Sequence, residues 1–142
     1  YLHKKVDTLF QTCTHISVHC NLTEETHHLV NESRMKMMPG KQGGIHCGNH
    51  IVNCARGGII DESALLDALE SGVITSAALD VFEIEPVSAD NLLVKHANFH
   101  GTPHIGAATM EAQRRVGFDI ADAVISGLNG QQPSTLVNGK YL

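Results

Sequence analysis

Three runs of the chain end in side chains suited to anion binding and proton transfer. They are Val52-Asn53-Cys54-Ala55-Arg56-Gly57-Gly58, Ala78-Leu79-Asp80-Val81-Phe82-Glu83-Ile84-Glu85-Pro86 and Thr102-Pro103-His104-Ile105-Gly106-Ala107. Each follows an apolar, strand-like stretch and delivers one charged or titratable group: Arg56, Glu85 and His104. A planar guanidinium clamps a carboxylate through two parallel hydrogen bonds. A carboxylate held against an imidazole fixes the ring's tautomer and favours its charged form. The three together describe a general acid–base site with an anion anchor.

Taken singly, each has a plainer reading. Arg56 is then a surface residue in a strand-to-helix turn. Glu85 is a solvated loop acid, with Glu83 competing for its role, and His104 is a structural histidine. Their order in one chain favours the site. Asp80, inside a strand, is costly to bury unless something donates to it, either a ligand amide or a neighbouring backbone group. Peptide N–H groups from Gly106 to Thr109, opening a helix, offer an anion or polar-ligand contact. The chain holds ten histidines. His46-Cys47 with His50 has the chemistry of metal ligands, but no fourth ligand stands at a standard spacing, so a polar loop is the better reading.

These groups need a scaffold. Apolar spacing predicts a helix over Val6–Cys13, and β-branched residues predict a strand over His15–Cys20. A short helix is expected over Asn31–Met38, stopped by Pro39-Gly40, then an irregular Gly-rich stretch over Lys41–His50. Strands are expected at His50–Cys54, Ser76–Phe82 and Ala97–Thr102. Asp61 is placed to cap a helix over Glu62–Ser71, with Gly72 as its left-handed stop. Thr109 is placed to cap the longest helix, which runs to about Gly127 with Val116, Ile120, Val124 and Leu128 in one row. Strands alternating with helices call for a parallel sheet, whose ligands sit at the C-terminal strand ends.

With 142 residues, 42% hydrophobic, the chain is long enough for a real core. A net charge of -5 gives no basic field for nucleic acid. No apolar run approaches the roughly 20 residues that span a bilayer. Cys13, Cys20, Cys47 and Cys54 form no C-x-x-C pair, and without a signal segment they read as reduced thiols of a cytoplasmic protein.

The three motifs, in this order, resemble the D-isomer-specific 2-hydroxyacid dehydrogenases, with the phosphoglycerate dehydrogenases nearest among them. The resemblance runs from Asp7 to about Gly130. It implies an α/β, Rossmann-like, doubly wound parallel sheet, present as the second half of the dinucleotide-binding domain over residues 1–130. Residues 131–142 would be a tail or a crossover toward a substrate domain. It implies NAD as cofactor, a small 2-hydroxy or 2-keto acid as substrate and a homodimer. Arg56 would bind the substrate carboxylate, His104 would exchange the C2 hydroxyl proton and Glu85 would pair with His104. Asp80 would hold the nicotinamide carboxamide, with Cys54, Ala55, Gly106 and Ala107 lining that pocket. His19, Cys20 and Asn21 would form the wall near adenine, although the family commonly has proline where Asn21 stands.

Two departures are visible. No G-x-G-x-x-G occurs in the sequence; in the family that turn precedes the part matched here. The Lys41–His50 segment is several residues longer than the family's usual link and is expected to disturb the strand that leads to Arg56. The other reading the motifs allow is a non-catalytic, dinucleotide-sensing protein related to the dehydrogenase-like transcriptional corepressors.

Overall fold

The computed structural model describes residues 3–139. The chain divides into two compact units, Tyr1–His104 and Ile105–Leu142, which are taken separately.

The first unit is built on four strands. β1 (His15–Val18), β4 (His50–Asn53), β5 (Ser76–Leu79) and β6 (Phe99–Gly101) form one parallel sheet in the order β1-β4-β5-β6. His50 stands opposite both His15 and Ser76, and Asn53 opposite both Val18 and Leu79. The four strand ends beyond Val18, Asn53, Leu79 and Gly101 therefore share one edge. This is the α/β Rossmann-like arrangement that the motif order implied.

Local chemistry explains the elements. α1 (Val6–Thr12) buries Phe10, and α2 (Glu32–Met35) buries Met35 beneath an Asn31 cap. α3 (Glu62–Glu70) begins where the Asp61 carboxylate accepts the Ala64 N–H, and it buries Leu65, Ala68 and Leu69. Gly72 follows with φ 75°, the left-handed geometry that ends the helix. α4 (Leu92–Lys95) is a single turn capped by Asn91, which the sequence pattern did not announce. Ile51, Ile59, Ile60, Leu65 and Ile74 fill the middle of the core.

The strands are shorter than expected: β5 stops at Leu79 rather than Phe82, and β1 at Val18 rather than Cys20. Val81 and Phe82 are buried all the same, so the apolar pattern reports burial there and not strand pairing.

Lys41–His50 is not irregular. β2 (Lys41–Gln42) and β3 (Ile45–His46) form an antiparallel hairpin whose two-residue turn is Gly43-Gly44, with φ 57° and 83°. Nor does the segment disturb β4. Buried Asn49 closes the hairpin's base: its side-chain oxygen accepts the Gly40 N–H at 2.7 Å, and its amide donates to the carbonyls of Met38 and Val73.

In the second unit, α5 (Met110–Leu128) is capped by the Thr109 hydroxyl, as expected. Its row of Val116, Ile120, Val124 and Leu128 is exposed.

Candidate functional site

The site grows from what happens after each strand. Beyond β4, Asn53 is buried and shapes the turn that follows: its Oδ1 accepts the Ala55 N–H and its Nδ2 donates to the Arg56 carbonyl, both at 2.9 Å. The Arg56 side chain is exposed, and its Nη1 donates to the Ala55 carbonyl at 2.6 Å. Gly57 is required sterically. A Cβ built there would lie 1.8 Å from the Phe82 carbonyl oxygen, so the Arg56 turn and the backbone after β5 touch directly.

Beyond β5, Asp80 is buried and accepts the Thr102 hydroxyl proton at 2.6 Å. The sequence motif contained Thr102 but assigned it no part. Its partner is a strand away, beyond the reach of local pattern. Cys54, Asp80, His100 and Thr102 line one small cleft at this edge.

Farther on, the Phe82 N–H donates to Glu85 Oε1 at 2.9 Å, and Glu85 Oε2 meets His104 Nδ1 at 2.8 Å. The contact with His104, and then the Phe82 N–H, hold the Glu85 carboxyl below the ordinary carboxylate range. An ionised carboxylate only accepts, so Nδ1 carries the proton in this bond and Nε2 is the nitrogen left for other chemistry. His104 sits at φ 55°, an uncommon backbone for a non-glycine residue. Phe82, Pro86, Val87 and Pro103 complete an apolar cavity of about 310 Å³ against the pair.

The structure thus joins Glu85 to His104. Arg56 is placed in the adjoining turn, with its guanidinium folded onto its own loop. His19, Cys20 and Asn21 lie after β1, at the far side of the same sheet edge. His19 Nε2 is 2.7 Å from Ser17 Oγ, and the Asn21 carbonyl accepts the Thr26 hydroxyl at 2.6 Å. Gly106 and Ala107 belong to the second unit, where Ala107 has φ 61°. Among the described residues, no three His, Cys, Asp or Glu are grouped to hold a metal ion. Among the same residues, no helix is long and apolar enough to cross a membrane.

The family model for the D-isomer specific 2-hydroxyacid dehydrogenase NAD binding domain matches residues 1–106. The chain belongs to the D-isomer specific 2-hydroxyacid dehydrogenase family. Over 132 residues it is 46% identical to D-3-phosphoglycerate dehydrogenase 3, chloroplastic, of Arabidopsis thaliana, covering 93% of this chain and 21% of that protein. It is 45% identical over 125 residues to hydroxypyruvate reductase of Thermotoga maritima, covering 87% and 39%. Among solved structures, a glyoxylate reductase from Paecilomyes thermophila superposes with a TM-score of 0.78 at 32% identity, covering 94% of this chain and 38% of that one. The chain therefore spans a fifth to two fifths of the length of these relatives. The match lies in the family's NAD binding domain, and open α/β sheets of this kind bind ligands beyond the C-terminal ends of their strands.

Proposed function

We propose that the chain is the nicotinamide-side part of an NAD-dependent D-2-hydroxyacid dehydrogenase, with a 3-phosphoglycerate-like acid as substrate. The Glu85–His104 bond of 2.8 Å carries this reading. Glu85 fixes the imidazole with Nδ1 protonated, and Nε2 takes the proton of the C2 hydroxyl during oxidation. Arg56 swings from the Ala55 carbonyl to the substrate carboxylate, a better acceptor for a guanidinium.

The donor set suits the cofactor's nicotinamide end. Asp80 is an acceptor at the end of β5, matched to a carboxamide N–H, and Cys54 and Ala55 stand in the adjoining turn. His19, Cys20 and Asn21 would serve the adenine end. Bound NAD supplies the acceptor for the C2 hydride. The substrate reading is supported by the 46% identity to the Arabidopsis enzyme. Residues 1–130 would act as part of the NAD-binding domain and 131–142 as a crossover. The exposed apolar row of α5 supports a homodimer. Four free thiols support a reducing, cytoplasmic setting.

The test is NADH absorbance with the protein made from its complete reading frame, given D-3-phosphoglycerate and a panel of 2-hydroxy and 2-keto acids. Turnover should fall by about 10²–10⁴ in His104→Asn. Arg56→Lys should mainly raise KM for the acid. No turnover with any acid, alongside intact NAD binding, would reject the reading in favour of a non-catalytic sensor.

A further inference from the structure

Beside the Glu85–His104 pair lies a second set of acids that the chemistry above does not use. Glu62 opens α3, the helix that follows the Arg56 turn. Its Oε1 accepts the Glu83 N–H at 2.6 Å, and its Oε2 lies 3.4 Å from the Asn91 amide. In return, Glu83 Oε1 accepts the N–H of Glu62 at 3.1 Å. Each residue's backbone N–H thus donates to the other's carboxylate, and the two bonds close a ring between the start of α3 and the turn that carries Glu85. His28 braces the ring, with Nε2 3.2 Å from the same Glu83 oxygen and Nδ1 3.7 Å from Asp61. On the other side, Gly57 lies against the Phe82 carbonyl, and the Phe82 N–H is a donor to Glu85.

The helix itself does not need this carboxylate. Asp61 already caps α3 through the Ala64 N–H. Moreover, Glu62 is held at a disadvantage: burial raises its carboxyl above the ordinary value, and the Glu83 and Glu85 charges push the same way. A carboxylate kept there against burial and like charge, with a donor at each oxygen, organises what it touches.

We propose that Glu62 is a positioning residue for the Glu85–His104 pair: by holding the Glu83 N–H it fixes the turn in which the Phe82 N–H holds Glu85 against His104. Through the Gly57 contact the same clasp ties that turn to Arg56. The catalytic meaning of this rests on the dehydrogenase reading; the geometry does not.

The experiment separates reach from charge. Glu62→Asp keeps the charge and withdraws the carboxylate by one C–C bond, about 1.5 Å. Glu62→Gln keeps the reach and an acceptor for the Glu83 N–H. The Glu85 carboxyl is titrated by carbon NMR in the 142-residue chain and in both variants. In Glu62→Gln the Glu85 midpoint should stay where it is or fall, because a repelling charge is gone. In Glu62→Asp it should rise toward the ordinary range by about half a pH unit or more, because its donors lose their aim. A Glu85 midpoint unmoved in a folded Glu62→Asp chain overturns the proposal, as does a rise of equal size in both variants. In the protein from the complete reading frame, Glu62→Asp should lower kcat by about threefold or more with KM for NAD unchanged, and Glu62→Gln should restore most of it. Should that protein show no turnover at all, the dehydrogenase reading falls while the titration still decides the role of Glu62.

Discussion

Thr102 Oγ1 donates to Asp80 Oδ1 over 2.6 Å, linking the first residue after β6 to the first residue after β5. The bond carries the ladder between the two strands one residue farther in side chains, and it stabilises a carboxylate in a buried setting. Removing the donor while keeping the shape exposes its worth. Thr102→Val should cost about 1–3 kcal/mol in urea unfolding, because a buried acceptor loses a partner. Thr102→Ser, which keeps the hydroxyl, should recover most of that. Equal midpoints for Val and Ser would show that the bond contributes nothing.

Two carboxyls in neighbouring turns should give opposite pH signatures. Glu85 sits below the ordinary 4.5, so its stabilisation is complete above that pH and is lost as the pH falls through its folded value. Glu62 sits above 4.5, so its contribution is complete below that pH and is lost as the pH rises through its folded value. Denaturant midpoints across the acid range should therefore diverge. The deficit of Glu85→Gln should grow as the pH rises toward 4.5 and then level off. The deficit of Glu62→Gln should shrink as the pH rises beyond 4.5. Parallel profiles for the two variants would contradict the assignment.

Gly57 should tolerate no side chain. The clash in Gly57→Ala is with backbone oxygen, which has no rotamer to escape into, so both turns must shift. The expected cost is at the upper end of about 1–3 kcal/mol, read by thermal melting. Gly127→Ala, where an added Cβ meets nothing within 4 Å, is the control and should be neutral or stabilising.

Asn49→Ala should be far more costly than changes at the hairpin tip. It abandons three side-chain bonds at a buried position, worth about 1–3 kcal/mol or more together. A substitution at Lys41, exposed on β2, should stay within about 0.5 kcal/mol by urea unfolding.

What could be read from the chain is what is local. Asp61 and Gly72 bracket α3, Thr109 starts α5, and the short apolar run Ile51-Val52 marks β4, because caps and apolar runs act within a few residues. The motif order was enough to place Arg56, Asp80, Glu85 and His104 at one sheet edge. The hairpin turn was legible in Gly43-Gly44 but was hidden among other glycines and histidines. The remainder is long-range. Thr102 finds Asp80 at the end of the neighbouring strand, Asn49 finds Val73 beyond α3, and Glu62 finds Glu83 in the turn after β5. No window of sequence contains both partners, so neither propensity nor spacing could announce these bonds.

The Asn49 closure also separates length from phase. Along β4 alternate side chains face opposite ways: Ile51 and Asn53 point inward and Val52 outward. A slip of one residue would invert that order, evicting Asn53 and folding its neighbours into the core. Because the hairpin is sealed below its turn, residues gained or lost between Lys41 and His46 change only a protruding finger. The count from Asn49 to Arg56, which decides what the strand aims and where, is insulated from them.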